Sequence, residues 1–412
     1  VHLSYGEPGL CGESAPAVRH RLAFVTTNRP PIAPALSVFG STIFGEMSAL
    51  AAQVGAVNLG QGFPDTDGPD EVLQAAQDAI AGGYNQYPPA LGYPVLREAI
   101  ARHQQRYYDL TIDPQTQVLV TVGATEAIAS AVLALCEPGD EVVTFEPYYD
   151  SYAACIALAG ATRRTVPLRF PDFAVDEGAL RAAFSDRTRL VLLNTPHNPT
   201  GKVFTREELT LIAELAAAHD AYVVTDEVYE HLTFDGARHI PFATLPGTQE
   251  RTITISSAGK TFSTTGWKVG WLSGPAELVS ACRTVKQFLT YVGSGPFQPA
   301  IALGLDTQDD YVTRFAADLG RKRDLLSAGL TAAGFEVARP SGTYFVIADA
   351  APLGVTDAVD FCWQLPRTHG VAAIPVSAFC DDKDVARTLV RFAFCKKDDV
   401  LHDAVEHLTT HK

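Results

Sequence analysis

An α/β fold built on a mainly parallel sheet follows from three features of the sequence. Between Gln117 and Leu272, strand-like apolar runs alternate with helix-patterned segments. That alternation is what a parallel sheet covered by helices on both faces requires. The chain has 412 residues, 47% of them hydrophobic, enough for a large core and for two or three domain-sized units. No internal repeat or low-complexity tract interrupts the pattern.

Charge and cysteine content exclude several classes. The net charge is −15, whereas a nucleic-acid binder carries a basic footprint. No apolar run reaches the length of a membrane span, about 20 residues. The seven cysteines, at positions 11, 136, 155, 282, 362, 380 and 395, are odd in number, scattered and free of any C-x-x-C. This argues against a disulfide framework or a zinc site and for a reducing cytosol. Most read as small core residues, and no metal is expected.

Taken in order, the chain opens on a segment to about Pro34 with Pro and Gly, little periodicity and no signal-peptide pattern. Its composition predicts residues 1–40 as a poorly ordered extension. A segment that wraps a partner subunit is the competing reading. Phe44 to Val54 has helical spacing, through Phe44, Met47, Leu50, Ala51 and Val54. In the following Val57 to Asp65 stretch, Gly60 and Gly62 either make a turn or let backbone approach a ligand. Tyr87 reads as a loop aromatic, and Pro94 suits the start of a helix running from Val95 to Tyr108.

Gln117 to Val122 is strand-like, Gly123-Ala124-Thr125 a small-residue turn, and Glu126 to Leu135 a helix. Free N–H groups and the helix dipole make such a junction a ready anion site. The spacing is not G-x-G-x-x-G, so no dinucleotide fold is indicated. The strand Glu141 to Phe145 ends at Glu146-Pro147-Tyr148-Tyr149. An aromatic there can stack on a planar cofactor or simply pack.

Strands at Thr162 to Pro167 and Thr188 to Leu193 flank a helix from Glu177 to Phe184. The segment Asn194-Thr195-Pro196-His197-Asn198-Pro199-Thr200-Gly201 holds two X-Pro bonds and is a constrained loop in which a cis peptide is plausible. His197 reads as an ordinary loop residue. Thr205 and Glu208 form a capping box for a helix to His219. Ala221 to Thr225 is a buried strand closed by Asp226-Glu227-Val228-Tyr229. An acid just past an apolar strand is costly unless partnered, and Glu227 reads as structural.

The stretch Ser256 to Trp271 sits between apolar runs at Thr252 to Ile255 and Val269 to Leu272. Lys260 is therefore partly desolvated, which lowers its proton affinity and makes it a usable amine nucleophile. With a carbonyl cofactor, amine chemistry means a Schiff base. Gly259-Lys260-Thr261 resembles the end of a P-loop, but Thr254 stands where that motif needs glycine. Ser257-x-x-Lys260 matches a β-lactamase-type pair, but no Ser-Asp-Asn or Lys-Thr-Gly accompanies it. An exposed lysine in an ordinary loop is the plain alternative.

Beyond lie a helix from Leu278 to Tyr291, a largely helical Gln298 to Leu330 bridging two domains, and a Pro340-Ser341-Gly342-Thr343-Tyr344-Phe345 stretch within Phe335 to Asp349. A helix from Asp357 ends on Gly370 as C-cap. Strands follow at Val371 to Pro375 and Thr388 to Phe394. In the second, Arg391 alternates with positions expected to be buried. It needs an anionic partner, either an internal acid or a ligand.

Ser-Ser-Ala-Gly-Lys-Thr-Phe followed by Thr-Gly-Trp-Lys-Val-Gly-Trp closely resembles the cofactor-lysine signature of class I aminotransferases, and Asn198-Pro199-Thr200-Gly201 matches a second signature of that family. These are pyridoxal 5'-phosphate enzymes of fold type I. The similar branch contains kynurenine aminotransferases, cysteine-conjugate β-lyases and actinobacterial N-succinyldiaminopimelate aminotransferases. The resemblance runs from about Phe44 to the C-terminus. It implies a large domain over 63–297 with a mainly parallel seven-stranded sheet, and a smaller α+β domain from 41–62 plus 298–412.

For the site, the resemblance implies that Lys260 carries the cofactor and acts as base. It implies that Gly123, Ala124, Thr125, Ser257 and Lys268 hold the phosphate, with Tyr87 reaching in from the partner subunit of a homodimer with shared active sites. Many class I members have arginine in place of Lys268. Asp226 is expected at the ring nitrogen, Asn198 and Tyr229 at the ring hydroxyl oxygen, and Tyr149 stacked on the ring, with Tyr148 as fallback. Arg391 is expected to grip the substrate carboxylate, with Gly62 nearby and Phe44 lining the pocket. The low-lysine, alanine- and arginine-rich composition suggests a GC-rich genome and, by resemblance, a cytoplasmic N-succinyldiaminopimelate aminotransferase using 2-oxoglutarate. Kynurenine or methionine aminotransferases and β-lyases share the same motifs. A pyridoxal-phosphate-sensing regulator would need a DNA-binding domain, for which the first 40 residues are too short.

Overall fold

The computed structural model describes residues 32–37, 39 and 43–410. The expectation for residues 1–40 falls largely outside them. Where it does not, Pro34–Leu36 forms a 3-10 turn and Phe39 packs against a hydrophobic cluster.

Thirteen strands are formed among the described residues. They are β1 (Val57–Asn58), β2 (Val118–Val122), β3 (Glu141–Glu146), β4 (Thr162–Pro167), β5 (Thr188–Asn194), β6 (Tyr222–Asp226) and β7 (Thr252–Ser257), then β8 (Val269–Ser273), β9 (Glu336–Ala338), β10 (Phe345–Asp349), β11 (Val371–Ala372), β12 (Ile374–Pro375) and β13 (Leu389–Ala393). Seven make one sheet in the order β2-β8-β7-β6-β5-β3-β4. Strand β8 runs antiparallel to both its neighbours, and the other adjacent pairs are parallel.

The sequence explains this layering. Strands β3, β7 and β8 are buried at every position, as expected where helices cover both faces. Successive residues bury on opposite sides. Val142, Leu190 and Leu192 join one core cluster, whereas Val143, Val191 and Leu193 join the other. The edge strand β4 carries Arg163 and Arg164 and is largely open, a charged edge that resists further pairing.

The helix after β2 begins at Gly123 rather than Glu126. The predicted turn Gly123-Ala124-Thr125 is its first turn, entered through Gly123 at φ +69°. Thr205 and Glu208 form the predicted capping box on the helix Arg206–Ala218. The stretch Gln298 to Leu330 is largely helical as expected, in two helices, Phe297–Thr307 and Asp309–Ala333. The helix expected from Asp357 to Gly370 runs Ala358–Thr368, with Asp357 as N-cap and His369 as C-cap.

Strand Val371 to Pro375 also divides. Its first part, β11, pairs in parallel with β1, and its second, β12, pairs with β13. A four-stranded antiparallel sheet β12-β13-β10-β9 results, with Arg391 opposite Ile347 and Ile374. Among the described residues no helix is long and apolar enough to cross a membrane. The six described cysteines are buried and free.

Candidate active site

The carboxyl ends of the parallel strands open onto a cavity of about 360 Å3. Ligands of open α/β sheets bind at this end. Strand β2 delivers Gly123, Ala124 and Thr125 to the cavity wall, and the residues after β3 deliver Tyr149. Strand β5 leads into Asn198, β6 ends on Asp226 with Tyr229 in the turn beyond, and β7 ends on Ser257. Lys260 lies in a one-turn helix, Ala258–Thr261, and Lys268 just precedes β8. Phe44, Gly62 and, from β13, Arg391 close the wall.

Asp226 is buried, and its Oδ2 accepts a 2.6 Å hydrogen bond from the Tyr152 hydroxyl. Burial pushes its carboxyl up to about 6, opposed by Tyr152 and the Val228 N–H. Asn194 braces this end of the sheet. Its Nδ2 donates to the Asp226 carbonyl and its Oδ1 accepts from the Asn198 N–H, each at 2.7 Å. Both X-Pro bonds of the constrained loop, Thr195–Pro196 and Asn198–Pro199, are cis.

Lys260 Nζ donates to the Tyr344 hydroxyl at 2.7 Å, and that hydroxyl donates to the Gly62 carbonyl at 2.6 Å. Burial brings the amine down to about 8, assisted by the cations Lys268 and Arg391 and opposed by Cys395 and Asp226. About a tenth of the amine is thus neutral at pH 7, far more than for an ordinary lysine, as a nucleophile or base needs.

Arg391 is buried among rings, with its guanidinium 4.1 Å from the centre of Phe345 and 5.0 Å from those of Phe44 and Phe379. Its Nη2 donates to the Gly60 carbonyl at 2.8 Å and Nη1 to Asn198 Oδ1 at 3.2 Å, while Nε is buried without a partner. No ion pair among the described residues includes it, and Asp150 is the acid that acts on it at longer range. Burial lowers it to about 10, so it stays cationic at neutral pH.

The opposite end of the cavity suits an anion. A Cβ on Gly123 would stand 3.1 Å from Lys268 Nζ, so the ammonium faces the helix N-terminus directly. Ser257 caps the one-turn helix, its Oγ accepting from the Gly259 N–H.

The other residues singled out in the sequence lie off the wall. Tyr148 turns away from the cavity to donate to Asp381 Oδ1 at 2.6 Å, leaving Tyr149 on the wall. Tyr87 is off the wall and 81% exposed, edge-on to Tyr291. His197 is buried against Thr200 Oγ1, and Glu227 accepts from His239 and the Phe242 N–H. Sequence reasoning did not nominate Tyr152, Asn194 or Tyr344. Tyr152 falls one helical turn after Tyr149, a spacing that could have flagged it.

A family model described as aminotransferase class I and II matches residues 54–408. The solved N-succinyldiaminopimelate aminotransferase of Mycobacterium tuberculosis is 57% identical, with a TM-score of 0.91 over 92% of this chain and 100% of that one. Methionine aminotransferase of Escherichia coli is 42% identical over 93% of this chain and 99% of its own length. Human kynurenine–oxoglutarate transaminase 3 is 38% identical over 89% of this chain and 87% of its own length. The chain belongs to the class I and II aminotransferases.

Proposed function

We propose that this aminotransferase uses pyridoxal 5'-phosphate, exchanges amino groups between N-succinyl-L,L-diaminopimelate and 2-oxoglutarate, and serves lysine biosynthesis in the cytoplasm. The observation that carries the reading is one cavity holding a lysine of lowered basicity and a buried arginine with a free Nε. The relative with 57% identity supports the donor. The buried free cysteines favour a reducing compartment.

The residues fit the cofactor. The N–H groups of the helix from Gly123, with Thr125, Ser257 and Lys268, would hold its phosphate. Asp226 would face the ring nitrogen, Asn198 and Tyr229 the ring oxygen, and Tyr149 the ring face. Lys260 would attach it covalently. When bound, the cofactor supplies an electron sink for the pair left at the substrate Cα.

The chain's own groups do the rest. Arg391 binds the α-carboxylate, with Nε as the donor left free for it. Gly62 and Phe44 shape the wall beside it. Lys260, as the neutral amine, takes the Cα proton, and Tyr344 holds its Nζ in position. Asp226 would stay ionised with the cofactor bound, because a positive partner would offset the burial that raises it. Tyr87, exposed beside Tyr291, and Phe288, also 81% exposed, fit an interface in a homodimer that brings Tyr87 to the partner's phosphate site. The division into 41–62 plus 298–412 and 63–297 accords with the two large sheets, which lie within 118–273 and 336–393.

Single-turnover absorption of the holoenzyme with one donor at a time tests the substrate. Fast conversion by N-succinyldiaminopimelate and glutamate, and slow conversion by kynurenine and methionine, is expected. The reverse order moves the enzyme to the kynurenine or methionine type. Release of pyruvate and ammonia from a cysteine conjugate makes it a β-lyase.

A further inference from the structure

Behind the segment that carries Asp226 and Tyr229 lies a second polar cluster that the amino-group chemistry does not use. His103 comes from the helix Pro94–Tyr108, while Glu230 and His231 come from the turn directly after Tyr229. One ligand atom from each lies within 4.8 Å of the others, and the two Nε2 atoms face each other at 2.8 Å.

No lysine or arginine forms an ion pair with the cluster among the described residues, and His103, His231 and His239 are the groups whose charge can act on Glu230. Glu230 is buried and in none of the ion pairs among the described residues. Its Oε1 accepts from the Ser256 hydroxyl, Oε2 is buried without a hydrogen-bond partner, and the Tyr108 hydroxyl lies close enough to interact with the carboxylate. A buried carboxylate without a cation is costly.

We propose that His103, Glu230 and His231 bind a zinc ion, or a similar borderline divalent metal, that pins the helix Pro94–Tyr108 to the turn following Tyr229. Two nitrogens and one carboxylate oxygen are a ligand set zinc accepts, with water in the fourth position. His231 is the half-buried member of the three. Ligand atoms about 2.1 Å from one ion stand about 3.4 Å apart in a tetrahedron. The imidazoles therefore open slightly and the carboxylate closes slightly on the ion. An outer partner is also present. Gln104 Oε1 is buried and unpaired beside His103 Nδ1. Turning that amide over lets Oε1 accept from Nδ1–H and aims the Nε2 lone pair at the metal.

The test uses tag-free holoenzyme stripped with a chelator and titrated with zinc against a chromophoric competitor. About one equivalent bound is expected, with affinity at least about tenfold weaker in His231→Gln and in Glu230→Gln. Cobalt in place of zinc is expected to give the visible bands of a tetrahedral ion in the unmutated protein, a readout that holds even if a variant fails to fold. No zinc retained against the competitor, retention unchanged in a folded His231→Gln, or a cobalt spectrum of the hydrated ion would overturn the proposal.

Discussion

Lys260 owes its chemistry to its surroundings rather than to its identity. Burial and the cations Lys268 and Arg391 bring its amine to about 8 from the usual 10.5. The neutral form attacks, so capture of added pyridoxal phosphate by cofactor-free protein should accelerate as pH rises towards about 8 and level off above it. Stopped-flow absorption measures this, and a profile still climbing steeply at pH 10 would refute the lowered basicity. Tyr152 makes a charged hydrogen bond to Asp226, worth about 1.5–3 kcal/mol. Tyr152→Phe should lower kcat by roughly tenfold to a hundredfold, read by steady-state kinetics. Arg391→Ala should cost roughly a hundredfold to a thousandfold in kcat/KM for amino-acid donors. Donors lacking the carboxylate should lose far less. The thirteen wall residues expected from the family resemblance mostly sit in short motifs near strand ends, with Phe44 in a helix and Arg391 within β13. Tyr152, Asn194 and Tyr344 were not expected, because their partners, the Asp226 carboxylate, the Asp226 carbonyl and Lys260, come from other elements.

At the level of elements, the site depends on how tightly β8 meets the helix after β2. A Cβ on Gly270 would come within 2.5 Å of the Gly123 carbonyl carbon. Gly270→Ala must push that helix N-terminus aside, at about 1–3 kcal/mol in stability and with weaker phosphate-end binding. Thermal unfolding and cofactor titration together would show it, and an unchanged variant would mean the junction is loose. Thr205→Ala removes the capping box on a helix far from the cavity and should cost about 1 kcal/mol without changing kcat. Capping boxes are local and were readable in the sequence. The helix Asp150–Leu158 was not, because it is short and carries buried residues with little polar contrast between its faces. The break of Val371–Pro375 between two sheets is a tertiary choice that no local pattern encodes.

For the whole molecule, the alternation of strands and helices sufficed for a mainly parallel sheet, since apolar runs buried on both faces leave few other arrangements. The reversed direction of β8 was beyond that reasoning. Parallel and antiparallel central strands carry the same apolar runs, and only the connection distinguishes them. The histidine–glutamate cluster escaped for a related reason. The cysteine pattern gave no reason to expect a metal, and His103 is more than a hundred residues from Glu230 and His231. Tyr87 and Phe288 lie exposed on the surface, so sedimentation at micromolar concentration should find a dimer. A monomer would remove the reading of Tyr87 as a residue shared between subunits.

The most direct test of the account is to reduce the pyridoxal-phosphate-loaded enzyme with borohydride, digest it and sequence the labelled peptide. A pyridoxyl group on Lys260 alone is expected, with none in Lys260→Ala. A label on Lys268 or any other lysine, or an unlabelled enzyme that still transfers amino groups, would contradict it.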